Sequence, residues 1–297
     1  MKTLLSISSH VVHGYVGNRA MTFPLQYMGW DVDAINTTNF SNHPGYGSLQ
    51  GSTSTVDTIE SIISGLSKIL SLPDFDLILI GYCPNADVLS VVHKEISKAL
   101  GKQEARKKLR WIVDPVLGDN GKLYVSEKVI PVYIEILTSG LVSLITPNQF
   151  EFETLSGEEI NSWESCKDAL EKFATKFKVE NIVISSVSID NALYCVAYTQ
   201  ESIFYLPIER IDCDFNGCGD LFTGLIANAY YNDNYKITPK SISNVLSNLH
   251  EILQYSYLDE LKINNFEPKV VKDIRVVAAK YLLEENGKEL VKKIGYL

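Results

Sequence analysis

Two glycines and an aspartate lie close together in the segment Gly217-Cys218-Gly219-Asp220. The apolar residues from Leu221 onwards recur at the spacing of an α-helix. Glycine lets the backbone approach a ligand closely, and the free N–H groups at the start of a helix bind phosphate. A carboxylate beside phosphate suits a general base that takes a proton from an attacking hydroxyl group. The segment therefore indicates phosphoryl transfer with Asp220 as the base, while the simpler alternative is a glycine turn with Asp220 as a helix N-cap.

A second pair of carboxylates, Asp114 and Asp119, lies on one loop after a predicted strand. Hard oxygen ligands in this arrangement suit Mg²⁺ that is bound together with substrate phosphates. An Asx-turn with a cap would use the same two side chains, so both interpretations stay open on local grounds. The dipeptide Asn120-Gly121, which follows, is a strong turn signal.

Polar residues also follow two other predicted strands. The segment Thr146-Pro147-Asn148 predicts the start of a helix, with Pro147 near its first position and Glu151 in its first turn. In the alternative, Asn148 contacts phosphate and Glu151 orders a metal-bound water. Tyr82 closes an apolar strand, either as a tyrosine at the edge of the core or as an aromatic wall for a planar ligand.

Composition excludes several classes of partner. The chain has 297 residues and a net charge of −9 without any block of like charge, which argues against nucleic acid and anionic membranes. Five dispersed cysteines without a CxxC pair favour a reducing compartment over a disulfide framework. The opening residues turn polar too soon for a signal peptide, and no run reaches transmembrane length. We therefore expect a cytoplasmic protein.

Alternating strand and helix patterns predict an α/β fold in a single domain spanning residues 1–297, with a mostly parallel central sheet covered by helices on both faces. The predicted strands are Leu4–Ser8, Val32–Thr37, Phe75–Tyr82, Trp111–Val116, Leu141–Ile145, Asn181–Ser186, and an antiparallel edge pair, Leu193–Tyr198 and Ile203–Leu206. The predicted helices are Ala20–Met28, Thr55–Leu70, Asn85–Leu100, Glu127–Leu137, Trp163–Phe177, a helix from Thr238 to about Asp259, and Ile274–Leu283. In such a sheet the carboxyl ends of the strands lie on one edge, so the polar loops should converge there.

Six segments, taken in order, resemble the pyridoxal kinases of the ribokinase-like superfamily. They are Ser6–Gly17 (SISSHVVHGYVG), Asn18–Gln26 (NRAMTFPLQ), Phe40–Tyr46 (FSNHPGY), Asp114–Tyr124 (DPVLGDNGKLY), Thr146–Glu151 (TPNQFE) and the Gly217–Phe222 loop. The first three are specific to pyridoxal kinases. The resemblance covers the chain from Leu4 to about Gln254.

This resemblance implies transfer of the ATP γ-phosphate to the 5′-hydroxyl of pyridoxal, pyridoxine or pyridoxamine, with Asp220 as the catalytic base. Positions that line the pyridine pocket are matched by Ser9, Val16, Phe40 and Tyr82. A Mg²⁺ ligand is matched by Asp119, and positions near a monovalent cation such as K⁺ or Na⁺ are matched by Asp114, Thr146 and Ser185. Positions of the nucleotide site are matched by Asn148, Glu151, Ser186, Gly217, Cys218 and Gly219. Asp114 and Ser185 are expected to contribute to the nucleotide site as well. The resemblance also implies a homodimer, and a short flap over ATP at residues 120–124.

Two residues depart from the family pattern. Pro44 stands where the family often has threonine, which removes a hydroxyl contact. Cys218 stands where the glycine loop usually has threonine or another small residue, so a hydroxyl donor becomes a weak thiol. We expect the helix terminus to lower the pKa of the Cys218 thiol modestly, against repulsion from Asp220, and to make it the most reactive of the five cysteines.

Two other functions compete with this one. A hydroxymethylpyrimidine kinase acts on a similar flat heteroaromatic alcohol. A catalytically weak vitamin B6-binding protein would hold pyridoxal phosphate for other enzymes, although the retention of Asp220, Asp119 and Asn148 argues against it.

Overall fold

The structure, a computed structural model, describes residues 1–101, 109–284 and 293–297. Its strands are β1 (Lys2–Val11), β2 (Trp30–Phe40), β3 (Gly51–Thr53), β4 (Leu77–Ile80), β5 (Arg110–Val113), β6 (Gly118–Asp119), β7 (Lys122–Leu123), β8 (Leu144–Ile145), β9 (Asn181–Ile189), β10 (Ala192–Thr199), β11 (Ile203–Pro207), β12 (Asp214–Phe215), β13 (Val270–Val271) and β14 (Gly295–Tyr296). Its α-helices are α1 (Asn18–Tyr27), α2 (Val56–Leu66), α3 (Ala86–Leu100), α4 (Val129–Thr138), α5 (Gln149–Ser156), α6 (Trp163–Phe177), α7 (Cys218–Asn232) and α8 (Pro239–Asn264).

Ten of the described strands form one sheet in the order β14-β11-β10-β9-β8-β5-β4-β1-β2-β3. The six strands from β9 to β2 run parallel, whereas β3, β10, β11 and β14 pair antiparallel. The predicted α/β fold with a mostly parallel sheet is therefore confirmed. The predicted antiparallel pairing of β10 with β11 is also confirmed, but the pair does not form the sheet edge because β14 hydrogen bonds outside β11.

The sheet separates two layers of apolar side chains. Successive residues of a strand point to opposite faces. Accordingly Leu5 and Ile78 pack with α2 to α6 on one face, while Leu4 and Leu77 pack with α1, α7 and α8 on the other. The predicted helices on both faces of the sheet are thus confirmed.

Helices α1 and α7 lie side by side on the second face. A β-carbon added to Gly224 of α7 would lie 3.6 Å from Met21 of α1, so the two helices are closely packed. Both helices begin with a loop at the carboxyl edge of the sheet.

Several predicted elements have different ends in the structure. The helix predicted to end at Leu70 ends at Leu66. The strand predicted to reach Val116 ends at Val113, because Pro115, two residues later, has no N–H group to donate to a neighbouring strand. Short elements that the sequence patterns did not predict are β3, β6, β7, β12 and β14.

The predicted helix Ile274–Leu283 is wrong over most of its length. Only Lys280–Leu283 is helical, as a single 3-10 turn. The backbone N–H of Arg275 instead donates to the Ser256 hydroxyl at 2.9 Å, and the Arg275 guanidinium pairs with Asp259 at 2.7 Å. Tertiary contacts with α8 therefore fix this segment in an irregular conformation, in which Ile274, Val276 and Ala279 are buried without forming a helix.

Within the described ranges, no helix has the length and apolar character needed to cross a membrane.

Candidate active site

The loop before α7 makes a close backbone contact that only glycine permits. Gly217 is the N-cap of α7 and has a φ of 83°. A β-carbon at this position would lie 1.9 Å from the carbonyl oxygen of Tyr15. Asp220 is the third residue of α7, so the alternative in which it serves as the N-cap is wrong. Its carboxylate is left available for chemistry beside the free N–H groups of the helix start.

Asp220 lies in an environment that raises the pKa of its carboxyl group. Burial raises the pKa of its carboxyl to about 6, and hydrogen bonding from the backbone of Gly17 opposes that rise. Gly17 in turn lies against Ser9, since a β-carbon on Gly17 would be 2.2 Å from the Ser9 hydroxyl oxygen. The fold thus brings the segment of Ser9 and Gly17 together with Asp220, which lies some two hundred positions further along the chain.

A hydrogen-bonded chain of three side chains lies beneath this point. The Thr223 hydroxyl is 3.0 Å from Asp114 Oδ2 and 3.0 Å from the Thr146 hydroxyl. Asp114 is buried, and its pKa lies well above the usual range because of burial and the nearby charges of Glu151 and Asp220. Thr223 was not singled out in the sequence, although it follows Asp220 by one helical turn.

Glu151 and Asn148 form a capping box at the start of α5, which confirms the predicted helix start. Pro147 precedes the cap and is not the first helical residue. Glu151 accepts hydrogen bonds from the backbone N–H groups of Leu117 (3.0 Å) and Asn148 (2.9 Å), and Asn148 Nδ2 donates to the Gly118 carbonyl (2.8 Å). Burial raises the pKa of Glu151 to about 7 against these hydrogen bonds. The capping box therefore also anchors the loop that carries Asp119.

Asp119 lies on the small hairpin of β6 and β7. The predicted turn at Asn120-Gly121 is confirmed, with φ values of 49° and 75° that match a type I′ turn. Asn120 donates to both carboxylate oxygens of Asp119, from its backbone N–H at 2.8 Å and from Nδ2 at 3.2 Å. The Asp119 carboxylate is nevertheless exposed, so it is accessible to a cation.

Three of the four residues expected around a planar ligand lie near the carboxyl ends of the neighbouring strands β1, β2 and β4, and the fourth, Val16, lies in the loop after β1. Ser9 pairs with Thr38 in β2, and Phe40 ends that strand. Tyr82 follows β4, where its carbonyl accepts from the Thr37 hydroxyl at 2.7 Å. Val16 precedes Gly17 in the loop before α1. These positions are compatible with one pocket beside Asp220.

Two serines of β9 lie next to the start of α5. The backbone N–H of Ser185 donates to the carbonyl of Pro147 at 2.9 Å, and Ser186 follows it. This contact places Ser185 beside Thr146 and Asn148, at the same carboxyl edge of the sheet as Asp114.

The expected lowering of the Cys218 pKa is wrong. Burial, followed by the charge of Asp220, raises the pKa of the thiol to about 11, against hydrogen bonding from the backbone of Gly219. Burial and Asp220 therefore outweigh the effect of the helix terminus on the pKa of Cys218. A low thiol pKa, the expected basis for unusual reactivity of Cys218, is absent. All five cysteines are free thiols.

The oxygen donors near α7 fit a bound cation. The described residues contain no group of three or more His, Cys, Asp or Glu side chains that could hold a metal ion by themselves. However, burial and then the nearby charges of Glu151 and Asp220 raise the pKa of Asp114, so three carboxylates lie close enough to interact. Carboxylate and hydroxyl oxygens suit Mg²⁺ when substrate phosphates complete the coordination.

Side-chain contacts join the loop after β2 to the segment after β13, and the sequence did not predict them. The Tyr46 hydroxyl donates to Asp273, and His43 Nε2 lies 3.7 Å from the other oxygen of the same carboxylate. Burial alone would raise the pKa of Asp273, but the nearby His43 and the hydrogen bond from Tyr46 lower it. The partners are 227 positions apart for Tyr46 and Asp273, so no local sequence signal could have found the contact.

Comparisons with known proteins give one consistent family. A family model described as Phosphomethylpyrimidine kinase matches residues 55–258. A putative pyridoxal kinase of Saccharomyces cerevisiae is 38% identical over 99% of this chain and 95% of its own length, and the pyridoxal kinase of Homo sapiens is 34% identical over 84% of each. The solved structure of the pyridoxal kinase from Leishmania donovani in complex with ADP and pyridoxine has a TM-score of 0.85 at 28% identity, covering 96% of each chain. The likeness therefore extends well beyond the glycine loop.

Proposed function

The chain belongs to the pyridoxal kinase family of the ribokinase-like superfamily, and we propose how its residues carry out the ATP-dependent phosphorylation of B6 vitamers. Asp220 is the general base, and it takes the proton of the vitamer's 5′-hydroxyl as the new O–P bond forms. The observation that carries this assignment is the position of Asp220 in the first turn of α7, next to Gly217, Gly17 and Ser9.

Catalysis here is mainly a matter of position and charge, because the transition state of phosphoryl transfer is loose. The free N–H groups of residues 217–219 receive the oxygens of the transferred phosphate. Ser9, Val16, Phe40 and Tyr82 hold the pyridine ring so that its hydroxymethyl group faces Asp220. The remaining nucleotide positions are Asp114, Asn148, Glu151, Ser185 and Ser186.

Cations complete the proposal. Asp119, with Asp114, would hold Mg²⁺ together with ATP, and a monovalent cation such as K⁺ or Na⁺ would lie near Asp114, Thr146 and Ser185. When bound, these ions would neutralise charge on the phosphates. The excess of buried carboxylates around Asp114 supports this assignment.

The proposal also includes a single domain, a homodimer and a cytoplasmic location. The single ten-stranded sheet, which holds strands from both ends of the described residues, supports the single domain. The family resemblance supports the homodimer, and the free cysteines support a reducing compartment.

A hydroxymethylpyrimidine kinase is the second candidate, because the matching family model carries the description Phosphomethylpyrimidine kinase. A steady-state assay that offers pyridoxal, pyridoxine, pyridoxamine and hydroxymethylpyrimidine with MgATP tests both. We expect higher kcat/KM values with the B6 vitamers. A preference for the pyrimidine would overturn the proposal, and binding of vitamers without turnover would favour a B6-binding protein.

The pH dependence of kcat/KM for the vitamer tests the role of Asp220. The base must be ionised, and its pKa is about 6 in the free protein. We therefore expect kcat/KM to fall about tenfold per pH unit below pH 6, after correction for the vitamer's own titration. A midpoint near pH 4, the ordinary range of aspartate, would contradict the environment described for Asp220.

Replacing Asp119 with alanine should weaken the productive use of Mg²⁺. We expect low activity at limiting Mg²⁺ and partial recovery in excess, since the substrate phosphates still provide ligands for the ion. Asp57→Ala, an exposed aspartate in the first turn of α2, is the control. If the Mg²⁺ dependence of Asp119→Ala matches that of the control, the hairpin is only structural.

A further inference from the structure

Asn18, the first residue of α1, has a buried side chain that is hydrogen bonded at both ends of its amide. The residue is 3% exposed. Its Nδ2 donates to the carbonyl of Ser8 at 3.1 Å, to the carbonyl of Ile35 at 3.0 Å and to Asn36 Oδ1 at 2.8 Å. Its Oδ1 accepts from the Ser6 hydroxyl at 2.7 Å. Because unpaired polar groups are costly in a protein interior, these four contacts hold the side chain in one place.

These contacts join the start of α1 to an irregular point of the sheet. Ser8 of β1 pairs with Asn36 of β2, but Ser9 pairs with Thr38, so the register shifts by one residue between them. A shift of this kind disrupts the hydrogen-bond ladder locally. Asn18 therefore bonds both strands at the point where their own pairing is interrupted, and it fixes the helix start relative to both.

Gly17, the residue before Asn18, depends on this attachment. It is the N-cap of α1, and no side chain caps the helix there. Its carbonyl accepts from the backbone N–H groups of Ala20 at 3.0 Å and Met21 at 3.2 Å, so Gly17 moves with the first turn of the helix. A displacement of that turn would therefore displace the backbone N–H of Gly17 as well.

The segment that ends at Gly17 lies directly against the start of α7. A β-carbon on Gly217 would be 1.9 Å from the carbonyl oxygen of Tyr15, so the two loops are in contact. The backbone of Gly17 also hydrogen bonds with the carboxylate of Asp220. Asn18 is thus linked to Asp220 through a single intervening residue, although its own side chain points away into the sheet.

We propose that Asn18 is a positioning residue for Asp220. By attaching the start of α1 to β1 and β2, it fixes the Gly17 N–H that orients the Asp220 carboxylate towards the 5′-hydroxyl of the vitamer. Asn18 touches neither substrate and is not a catalytic residue. This inference rests on the proposed function, in which Asp220 is the general base.

Asn18→Ala tests the proposal, because alanine is compatible with the helix but removes all four hydrogen bonds. A displacement near 1 Å at a reacting centre can cost about 10²-fold in rate, so we expect kcat to fall about 10- to 100-fold. The KM for ATP should stay constant, since the proposed nucleotide positions lie on other elements. The measurements are steady-state kinetics with pyridoxal and MgATP, and thermal stabilisation by ADP to show that the variant is folded.

A double-mutant cycle separates positioning of the base from a purely structural role. If Asn18 acts through Asp220, its replacement has little left to disturb once the carboxylate is gone. The kcat of the double variant Asn18→Ala/Asp220→Asn should then lie within about twofold of the kcat of Asp220→Asn alone. If the two losses multiply instead, Asn18 does not act through the base and the inference is wrong.

Ser6→Ala is a second, milder variant of the same network. It removes only the hydrogen bond to Asn18 Oδ1, so kcat should fall about two- to tenfold. The same cycle with Asp220→Asn applies to it. This variant decides the question by the same criteria if Asn18→Ala does not fold.

Asn181→Ala is the matched control. Asn181 is also a buried asparagine, and its Nδ2 donates to the Ser143 carbonyl at 3.2 Å, but it lies at the amino end of β9, away from α7. It should lose stability and keep kcat. Unchanged kcat in the Asn18 variant, or an equal loss in the control, would overturn the inference. An Asp220→Asn enzyme that keeps its kcat would instead overturn the proposed function, so the two failures are distinguishable.

Discussion

Asp220→Asn is expected to lower kcat by about 10²–10⁴-fold, the usual contribution of a general base. Asparagine keeps the shape of the side chain but cannot take the proton of the 5′-hydroxyl. The backbone contacts of Gly217 and Gly17 do not depend on the carboxylate charge, so folding and nucleotide binding should be retained. The measurements are kcat with saturating MgATP and vitamer, and thermal stabilisation by ADP.

Asp57→Asn provides the matched control, because Asp57 is also an acidic residue in the first turn of a helix but lies exposed on α2. It should leave kcat unchanged. An Asp220→Asn enzyme that retains most of its kcat would remove Asp220 from the mechanism.

Gly217→Ala should disrupt both stability and catalysis. The φ of 83° costs about 1–2 kcal/mol in the free energy of unfolding for a residue with a β-carbon. The methyl group would also lie 1.9 Å from the Tyr15 carbonyl oxygen, so the loop must shift. Because a displacement near 1 Å at a reacting centre can cost about 10²-fold, we expect a loss of that order in kcat/KM.

Gly29→Ala separates the two causes. Gly29 has a similar φ of 85°, but a β-carbon there would meet no atom within 4 Å. We therefore expect Gly29→Ala to lose only the conformational part of the stability and to keep full activity. Urea unfolding and steady-state kinetics measure both quantities, and equal behaviour of the two variants would contradict the importance of the Tyr15 contact.

The fold could be predicted from sequence because its signals are local. The run before Tyr82 is continuously apolar, as a central parallel strand must be, and the helix after Gly217 has clear periodicity. The helix predicted for Ile274–Leu283 failed for the opposite reason. Its apolar spacing is compatible with a helix, but contacts of Arg275 with α8 determine its conformation.

The residues of the candidate site also differ in whether a local sequence signal could suggest them. Candidate residues within one loop, such as Asp114 and Asp119, could be proposed from their types and spacing. The Asp273 contacts could not, because they join distant segments. The pKa of Cys218 was mispredicted because the sequence gives the helix terminus and the neighbouring Asp220 but not the extent of burial, which dominates.

The packing of α1 against α7 has a consequence for how the two substrates meet. Gly17 opens α1 beside the vitamer positions, and Gly217 opens α7 beside the phosphate positions. Since Gly224 of α7 lies against Met21 of α1, the two proposed substrate seats are carried by helices in direct contact. Under the proposed function, this packing of α1 against α7 would set the approach distance between the 5′-hydroxyl and the phosphorus. If the hairpin at Asn120-Gly121 folds over ATP, as the family resemblance implies, we expect it to exclude water that would otherwise compete as the phosphate acceptor.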